Sequence, residues 1–239
     1  MSKMSKFLIA TAFCAVALPS VAMADVIGSG TGSFNNLSGC GGEPCSISST
    51  GGGSSNKVSW GTSTGSGQST LTATTVNFDV SANGTYEIAE LDWLNTPIQG
   101  DNSLSEFNVD YTLKINIQGG TGDQQVFTLN IYNTVNSTGD AIATFINNTL
   151  NSDITLGDSG WTIGNLKYGV LDSSSTLGSC PGDDHTTISN GWCNPENNLG
   201  KLAINATFTQ TAVPEPLTLS LFGAGLAGAA AIRRRKAKA

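Results

Sequence analysis

The feature that most constrains how this chain can fold is an alternation of apolar and polar residues at positions 107–117. Apolar side chains occupy the odd positions, beginning with Phe107, and polar or charged side chains occupy the even positions between them. Successive side chains of a β-strand point to opposite faces, so the pattern predicts a strand with one buried face and one solvated face. The same period recurs at 127–131 and 202–208, and the glycine-rich stretch 119–123 predicts a hairpin between the first two strands.

Other segments of the chain are typical of further short strands. Residue patterns predict strands at 71–80, 85–93 and 161–171, whereas Gly, Ser, Thr and Asn dominate 28–67 and predict a loop or an edge strand there. The segment 141–150 fits either a strand or one to two helical turns. Six or more short strands with regular turn signals and no long amphipathic helix predict a mainly β fold, an antiparallel β-sandwich of jelly-roll-like type.

The first 24 residues have the composition of a secretory signal peptide. Two lysines precede the apolar run 7–18, and Ala22 and Ala24 place small side chains at a cleavage position, so we expect cleavage after Ala24. As a helix the apolar run would rise only about 18 Å, which is too short to span a bilayer comfortably. The partners expected at this end are therefore the Sec export machinery and signal peptidase.

The segment 25–212, which remains when both chain ends are set aside, is strongly acidic. Its 17 acidic residues and four lysines, with no arginine, give it a net charge of −13. The basic surface that nucleic-acid binding needs is therefore absent, and the lack of arginine argues against phosphorylated ligands. The acidity favours solubility outside the cell over cation binding. The length of the segment fits one sizeable β domain better than two small ones.

Four cysteines lie in this segment, an even number in a chain bound for an oxidising compartment: Cys40, Cys45, Cys180 and Cys193. Two disulfides are expected, and three connectivities are possible. Loop closure costs least for partners that are close in sequence, which favours Cys40 with Cys45 and Cys180 with Cys193. A four-cysteine zinc site is the alternative, but the spacing lacks the two-residue gaps of zinc ribbons.

The C-terminal tail, 213–239, combines three features in a fixed order. A motif with two prolines around a carboxylate comes first, formed by Val213, Pro214, Glu215 and Pro216. An uncharged run at 217–232 follows and predicts a single transmembrane helix, since 213–232 would rise about 30 Å. The last feature is a basic stop, formed by Arg233, Arg234, Arg235 and Lys236. Because basic residues stay cytoplasmic, the domain at 25–212 is expected outside the cytoplasm.

These tail residues resemble the PEP-CTERM sorting signal of exopolysaccharide-producing Gram-negative bacteria. The resemblance covers 213–239 and implies recognition by an exosortase, a membrane-embedded cysteine transpeptidase that removes the tail and transfers the protein to a surface component. It makes residues 213–216 substrate residues and not catalytic ones. It also implies an inner-membrane intermediate, followed by location at the cell surface or in the extracellular matrix. A plain membrane anchor is the alternative, but it does not explain two prolines placed directly before the helix.

The exported segment is similar to the choice-of-anchor K domain, a family found upstream of several surface-anchoring tails. The resemblance rests on the Val-Ser-Trp-Gly sequence at 58–61 with its following Ser/Gly-rich loop, on 85–95, which leads into the long alternating strand, and on 127–140. It implies an extracellular β domain of unassigned activity.

Residues able to carry catalysis are sparse in this segment, so we predict no catalytic site and no enzymatic activity. The single histidine, His185, lies among turn-forming residues and fits a solvated loop better than a catalytic triad. Glu87, Glu90 and Asp92 could supply the two acids of a glycoside hydrolase, which must flank a sugar. Glu90 and Asp92 share one face of a strand by period, so an outward, solvated face is favoured over a catalytic pair.

Two further binding hypotheses concern metal ions and sugars. Asp183, Asp184 and Glu196 could give oxygen ligands to calcium, although no EF-hand spacing exists, and no other cofactor is predicted. Three tryptophans could stack on sugars, with core packing as the default: Trp93, Trp161 and Trp192.

Three functional hypotheses follow from the sequence. The first is a non-enzymatic structural or interaction protein, sorted through its tail to the cell surface or matrix, with exopolysaccharide as a candidate partner. The second is a secreted carbohydrate-binding module or glycoside hydrolase that uses the paired acids and exposed tryptophans. The third is a single-pass membrane-anchored protein whose tail is not processed.

Overall fold

The computed structural model describes residues 25–41, 43–50, 55–98, 106–119, 122–133, 140–143, 154–155, 160–181 and 187–210, and three residues of the tail. The regular elements described between 25 and 210 are β-strands, and they lie in one compact unit, Ala24–Val213. The strands are β1 (Val26–Ser38), β2 (Cys45–Ser48), β3 (Lys57–Trp60), β4 (Ser69–Val80), β5 (Gly84–Asn95), β6 (Glu106–Ile117), β7 (Asp123–Tyr132), β8 (Asp140–Ala143), β9 (Ile154–Thr155), β10 (Trp161–Val170), β11 (Thr176–Pro181), β12 (Thr187–Asn194) and β13 (Asn198–Gln210).

The strands form one continuous antiparallel sheet in the order β11-β12-β8-β7-β6-β1-β4-β5-β13-β10-β9, and the β2–β3 pair is added beside β4. Strand β4 joins the two halves of this path, because 76–80 pairs with β1 whereas 70–75 pairs with β5. The sheet curls until β10 and β11 come into contact. The prediction of a mainly β, antiparallel domain is confirmed, and the two sheets expected of a sandwich are here two halves of a single hydrogen-bonded path.

The core lies between the two halves of the sheet. The ring of Trp93 on β5 lies 5.2 Å from that of Trp192 on β12, and the ring of Trp60 on β3 lies 5.4 Å from that of Phe107 on β6. These contacts join residues from opposite halves, and all four side chains are fully buried. Aromatic pairs at such separations add to the stabilisation that burial itself provides.

The predicted strands from 71 onwards are confirmed. On β6 the odd positions 107–115 are buried, and β6 forms the predicted hairpin with β7, in which Ile115 lies opposite Asp123. Strands β4, β5, β10 and β13 occupy the other segments with strand patterns. The ambiguous segment begins as strand β8, and its remainder, 144–150, lies outside the described residues.

The prediction of a loop or edge strand at 28–67 is wrong for β1, which is a central strand between β4 and β6. Its inward-facing positions include Gly30 and Gly32, where a side chain would collide with the neighbouring strands. A Cβ at Gly30 would overlap the carbonyl oxygen of Ile88, and one at Gly32 would lie 2.5 Å from the Tyr111 ring. Glycine is therefore present because β1 passes close to the backbone of β5 at Gly30 and to the Tyr111 side chain at Gly32, and not because the chain turns.

The tail is described at three positions, Gly223, Gly225 and Leu226, which have helical backbone. In the described part of the chain, no helix combines the length and the apolar character needed to cross a membrane. The rest of the predicted transmembrane helix, 217–232, lies outside the described residues, and that helix stays a prediction.

Candidate functional site

Both ends of the described domain lie at one end of the sheet, which we call the tail end. Val26, at the start of β1, pairs with Val80, at the end of β4. The turn 81–83 then leads into β5, and the side-chain oxygen Oδ1 of Asn83 accepts a hydrogen bond of 2.7 Å from the backbone N–H of Gln210. The first and last described strands of the domain are therefore joined through a single turn.

The last strand, β13, is fixed firmly up to Phe208. The buried ring of Phe208 lies 5.4 Å from that of Phe78 and 5.7 Å from that of Tyr86. Beyond Phe208, β13 pairs on one side only, with Trp161 opposite Gln210, because the β5 ladder stops at Gly84. The Asn83 side chain thus takes the place of the missing β5 partner of Gln210.

The sorting residues predicted from the sequence follow closely after this point. Two residues, 211 and 212, separate Gln210 from the motif at 213–216, and even a fully extended chain places Pro214 no more than about 14 Å from Gln210. The motif residues 213–216, the basic stop 233–236 and the cleavage residues Ala22 and Ala24 lie outside the described residues.

The outer surface at the tail end holds a shallow depression of about 280 Å3. Ser29 lies in its lining with Asn77 and Asn116, its register partners on β4 and β6, and Gln118 and the exposed Ile27 border it. The lining carries amides, a hydroxyl and apolar groups without a formal charge. Such a surface can exchange hydrogen bonds with neutral polar ligands.

Two of the three carboxylates considered for catalysis, Glu90 and Asp92, form an ion pair cluster with Lys201 on the outer face of β5 and β13. Lys201 Nζ lies 2.6 Å from Glu90 Oε1 and 2.6 Å from Asp92 Oδ1, and Thr74 donates a 3.0 Å hydrogen bond to Asp92 Oδ2. The bonds to Asp92 and Glu90 raise the pKa of Lys201 above its ordinary value. For Glu87, desolvation and the nearby charge of Glu90 raise the pKa of the carboxyl. This geometry suits stabilisation of the β5–β13 pairing, since Lys201 forms an ion pair with both carboxylates.

A second polar cluster surrounds Asp172, between β10 and β11. Its carboxylate accepts backbone N–H bonds from Ser174 at 2.8 Å, Ser175 at 2.6 Å and Lys201 at 2.9 Å, and the Ser175 hydroxyl also donates to it. The Ser175 oxygen in turn accepts the indole N–H of Trp192 at 3.1 Å. Burial alone would raise the pKa of Asp172, but the hydrogen bonds from Ser175, Lys201 and Ser174 outweigh burial and lower it.

Asp172 is not among the site residues predicted from the sequence. The Asp-Ser-Ser-Ser sequence at 172–175 directly after a predicted strand was the available signal, because an aspartate in such a turn bonds to the backbone N–H groups that follow it.

The suggested sugar-stacking role is wrong for Trp93, Trp161 and Trp192, because each has 0% exposure. Core packing, the default for aromatic residues on strands, is confirmed for all three. Trp192 lies on β12 opposite Leu177 and Ile142 on the neighbouring strands.

The four cysteines lie in two pairs at disulfide distance. Cys40 pairs with Cys45 at a Cα separation of 6.2 Å, and Cys180 pairs with Cys193 at 5.4 Å. Both separations fall in the range of disulfides. These are the pairs that loop closure favoured, and they differ from the arrangement of a single four-cysteine zinc site.

Of the residues proposed to bind calcium, Glu196 alone lies in the described part of the chain. Asp183, Asp184 and His185 lie outside the described residues, and Glu196 lies in the β12–β13 turn, where desolvation raises the pKa of its carboxyl. Within the described ranges, no group of three His, Cys, Asp or Glu side chains is arranged to hold a metal ion. Calcium binding therefore stays a prediction.

Comparison with known proteins bears on the tail. A family model described as the PEP-CTERM protein-sorting motif matches residues 212–236. The chain thus carries this motif, which implies an exported, cell-surface-directed protein processed by an exosortase-type enzyme. No curated protein matches the chain. The resemblance of the exported segment to the choice-of-anchor K domain stays a prediction, because the matched model covers the tail alone.

Proposed function

We propose that this chain is a non-enzymatic structural or interaction protein, which an exosortase-type transpeptidase sorts through its tail to the cell surface or extracellular matrix. The match to the sorting motif at 212–236 supports the processing step. The observation that carries the topology is the meeting of both domain ends at the tail end, where Asn83 bonds to Gln210.

The topology follows from where the two targeting segments meet the membrane during export. The signal peptide 1–24 and the apolar run 217–232 both have basic residues on their cytoplasmic side, so both ends of the precursor are held at the inner membrane until signal peptidase cleaves after Ala24. A folded domain can accommodate this only if its two ends face the same membrane surface. The pairing of Val26 with Val80, one turn away from Gln210, meets that requirement without unfolding any strand.

The domain itself acts in this proposal through its surface. We take it to be a sandwich-like body whose two halves pack around one core and whose acidity keeps it soluble after export. Signal peptidase and the Sec machinery act before sorting, and exopolysaccharide remains a candidate partner afterwards. The carboxylates Glu90 and Asp92 serve the ion pair with Lys201 in this view, and not hydrolysis.

The test is the intact mass and C-terminal peptide map of the protein from wild-type cells and from cells lacking the transpeptidase. We expect loss of 217–239 in wild-type cells only. Glu215→Ala should leave export intact and block tail removal, whereas the control Glu106→Ala, which removes an exposed carboxylate of the domain, should be processed normally. An intact tail in both strains, or normal processing of Glu215→Ala, contradicts the sorting proposal and favours a plain membrane anchor.

A further inference from the structure

The chain between the last fixed residue of the domain and the sorting motif is unusually short. Phe208 is fully buried, and the motif prolines begin at Pro214. The reach from Gln210 to Pro214 is at most about 14 Å, which is less than the radius of gyration of about 16 Å expected for a domain of this length. We therefore expect a membrane-embedded enzyme that acts on the motif to approach the tail end of the folded domain closely.

The residues that could lengthen this reach are Thr209 and Gln210. They pair with β10 on one side, where Thr162 and Trp161 are their partners. On the other side the ladder with β5 has ended, and the Asn83 side chain supplies the remaining bond to Gln210. Separation of these two residues from the sheet would add about 7 Å of free chain, whereas further separation is opposed by the buried ring of Phe208.

We propose that Asn83 is a positioning residue for tail processing: its bond to Gln210 holds the end of β13 on the domain and thereby limits how far the motif reaches toward the sorting enzyme. This inference rests on the proposed sorting function. The enzyme acts on the motif when 209–210 separate from β10, and the Asn83 bond lowers the population of that separated state. Asn83 touches neither the motif nor the reacting atoms.

The experiment follows conversion of the tail-bearing precursor to the processed form by mass in pulse-labelled cells that contain the transpeptidase. Asn83→Ala removes the acceptor, and we expect processing about threefold to tenfold faster, since one hydrogen bond of ordinary net strength is lost. Asn83→Asp keeps an acceptor at the same position and should be processed at the wild-type rate. Asn108→Ala, which changes an asparagine near the start of β6 outside the depression, should also leave the rate unchanged.

A spacer variant separates reach from any general loosening of the domain. Insertion of Gly-Ser-Gly-Ser between Ala212 and Val213 should accelerate processing by itself and should abolish the difference between Asn83→Ala and Asn83. It also tests the proposal if Asn83→Ala fails to fold.

Equal or slower processing of folded Asn83→Ala overturns the inference while leaving sorting intact, and so does a spacer that changes nothing. An intact tail in the wild-type protein overturns the proposed function itself, and this inference with it.

Discussion

The two ends of the sheet are held by different means. At the tail end, turns at 81–83 and 118–122 connect the strands. At the opposite end, which we call the far end, the turn 195–197 is also short, but the connections 39–44, 61–68 and 96–105 are longer. Longer connections lose more entropy when their ends are brought together, so bonds that hold these connections stabilise the far end.

Those bonds are found among buried polar groups. Ser69, Asn95, Thr96 and Asn194 are at most 4% exposed. Asn95 Nδ2 donates to the carbonyl of Asn194 at 2.8 Å, and Asn194 Nδ2 donates to the carbonyl of Trp93 at 2.9 Å, which ties the β12–β13 turn to β5. The Cys40–Cys45 pair closes the connection after β1 at the same end. The comparison indicates that, among the described residues, buried side-chain hydrogen bonds hold the far end, whereas the tail end combines the Phe208 ring contacts with hydrogen bonds at the surface, such as that between Asn83 and Gln210.

The largest effect is expected from loss of the tryptophan that joins the halves near the far end. Trp192→Ala removes the packing against Trp93 and the bond to Ser175, and should lower the free energy of unfolding by about 3–5 kcal/mol in urea titrations. The control Val126→Ala changes a side chain that is 54% exposed and should cost less than about 0.5 kcal/mol. Similar losses for the two variants would contradict the assignment of Trp192 to the core.

The next largest losses of stability are expected when the disulfides are removed, and the loss should increase with the length of the loop that each disulfide closes. Replacement of Cys180 and Cys193 by serine opens a loop with a sequence separation of 13 and should cost about 3 kcal/mol, against about 2 kcal/mol for Cys40 and Cys45, with a separation of 5. Urea unfolding of the two double variants measures the difference. Four titratable thiols in the denatured, non-reduced protein would show instead that neither disulfide forms.

The sequence predicted most of the strands because their signal is local. On β6 the alternation from Phe107 to Ile115 reports directly which side chains face the core. The strand β12, which carries Trp192, was not among the predicted strands. A register shift opposite Gly178 and Cys180 interrupts its alternation, so the period is weak there. On β1 two of the inward positions are glycines, Gly30 and Gly32. They are required because residues of other strands, Ile88 and Tyr111, lie too close to admit a side chain.

The distinction between local patterns and contacts with distant residues applies also to the sorting tail and to the tail end of the domain. The order of motif, apolar run and basic stop is contiguous in sequence, so the tail could be predicted and the motif match agrees with it. The bond between Asn83 and Gln210 joins residues 127 positions apart and depends on the order of β4, β5 and β13 in the sheet. The Lys201 cluster likewise requires the register that places Lys201 opposite Asp92. Such pairings are a consequence of strand order, which a single sequence does not specify.

A smaller and pH-dependent effect is expected at Asp172, which links the far end to Trp192 through Ser175. Because its pKa is lowered from 3.8 on folding, the carboxylate stabilises the protein at pH values above 3.8, and this contribution is lost as the pH falls below that value. Asp172→Asn should cost about 1 kcal/mol at pH 7, after allowance for solvent screening, and less near pH 2. Unfolding midpoints of both proteins at the two pH values measure this. A difference that persists unchanged at low pH would rule out the charge as its cause.

The smallest effect on global stability is expected at the tail end, and it sharpens the comparison most. Asn83→Ala removes one bond at a strand end, so the free energy of unfolding should fall by less than about 1 kcal/mol. Local opening is a different quantity, because residues at a strand end exchange their amide hydrogens without unfolding of the whole domain. Exchange at the Gln210 amide should therefore accelerate several-fold, while buried amides of β6 keep their rates. If the amides of β6 accelerated equally, the tail end would belong to the same cooperative unit as the core, and the contrast between the two ends would not hold.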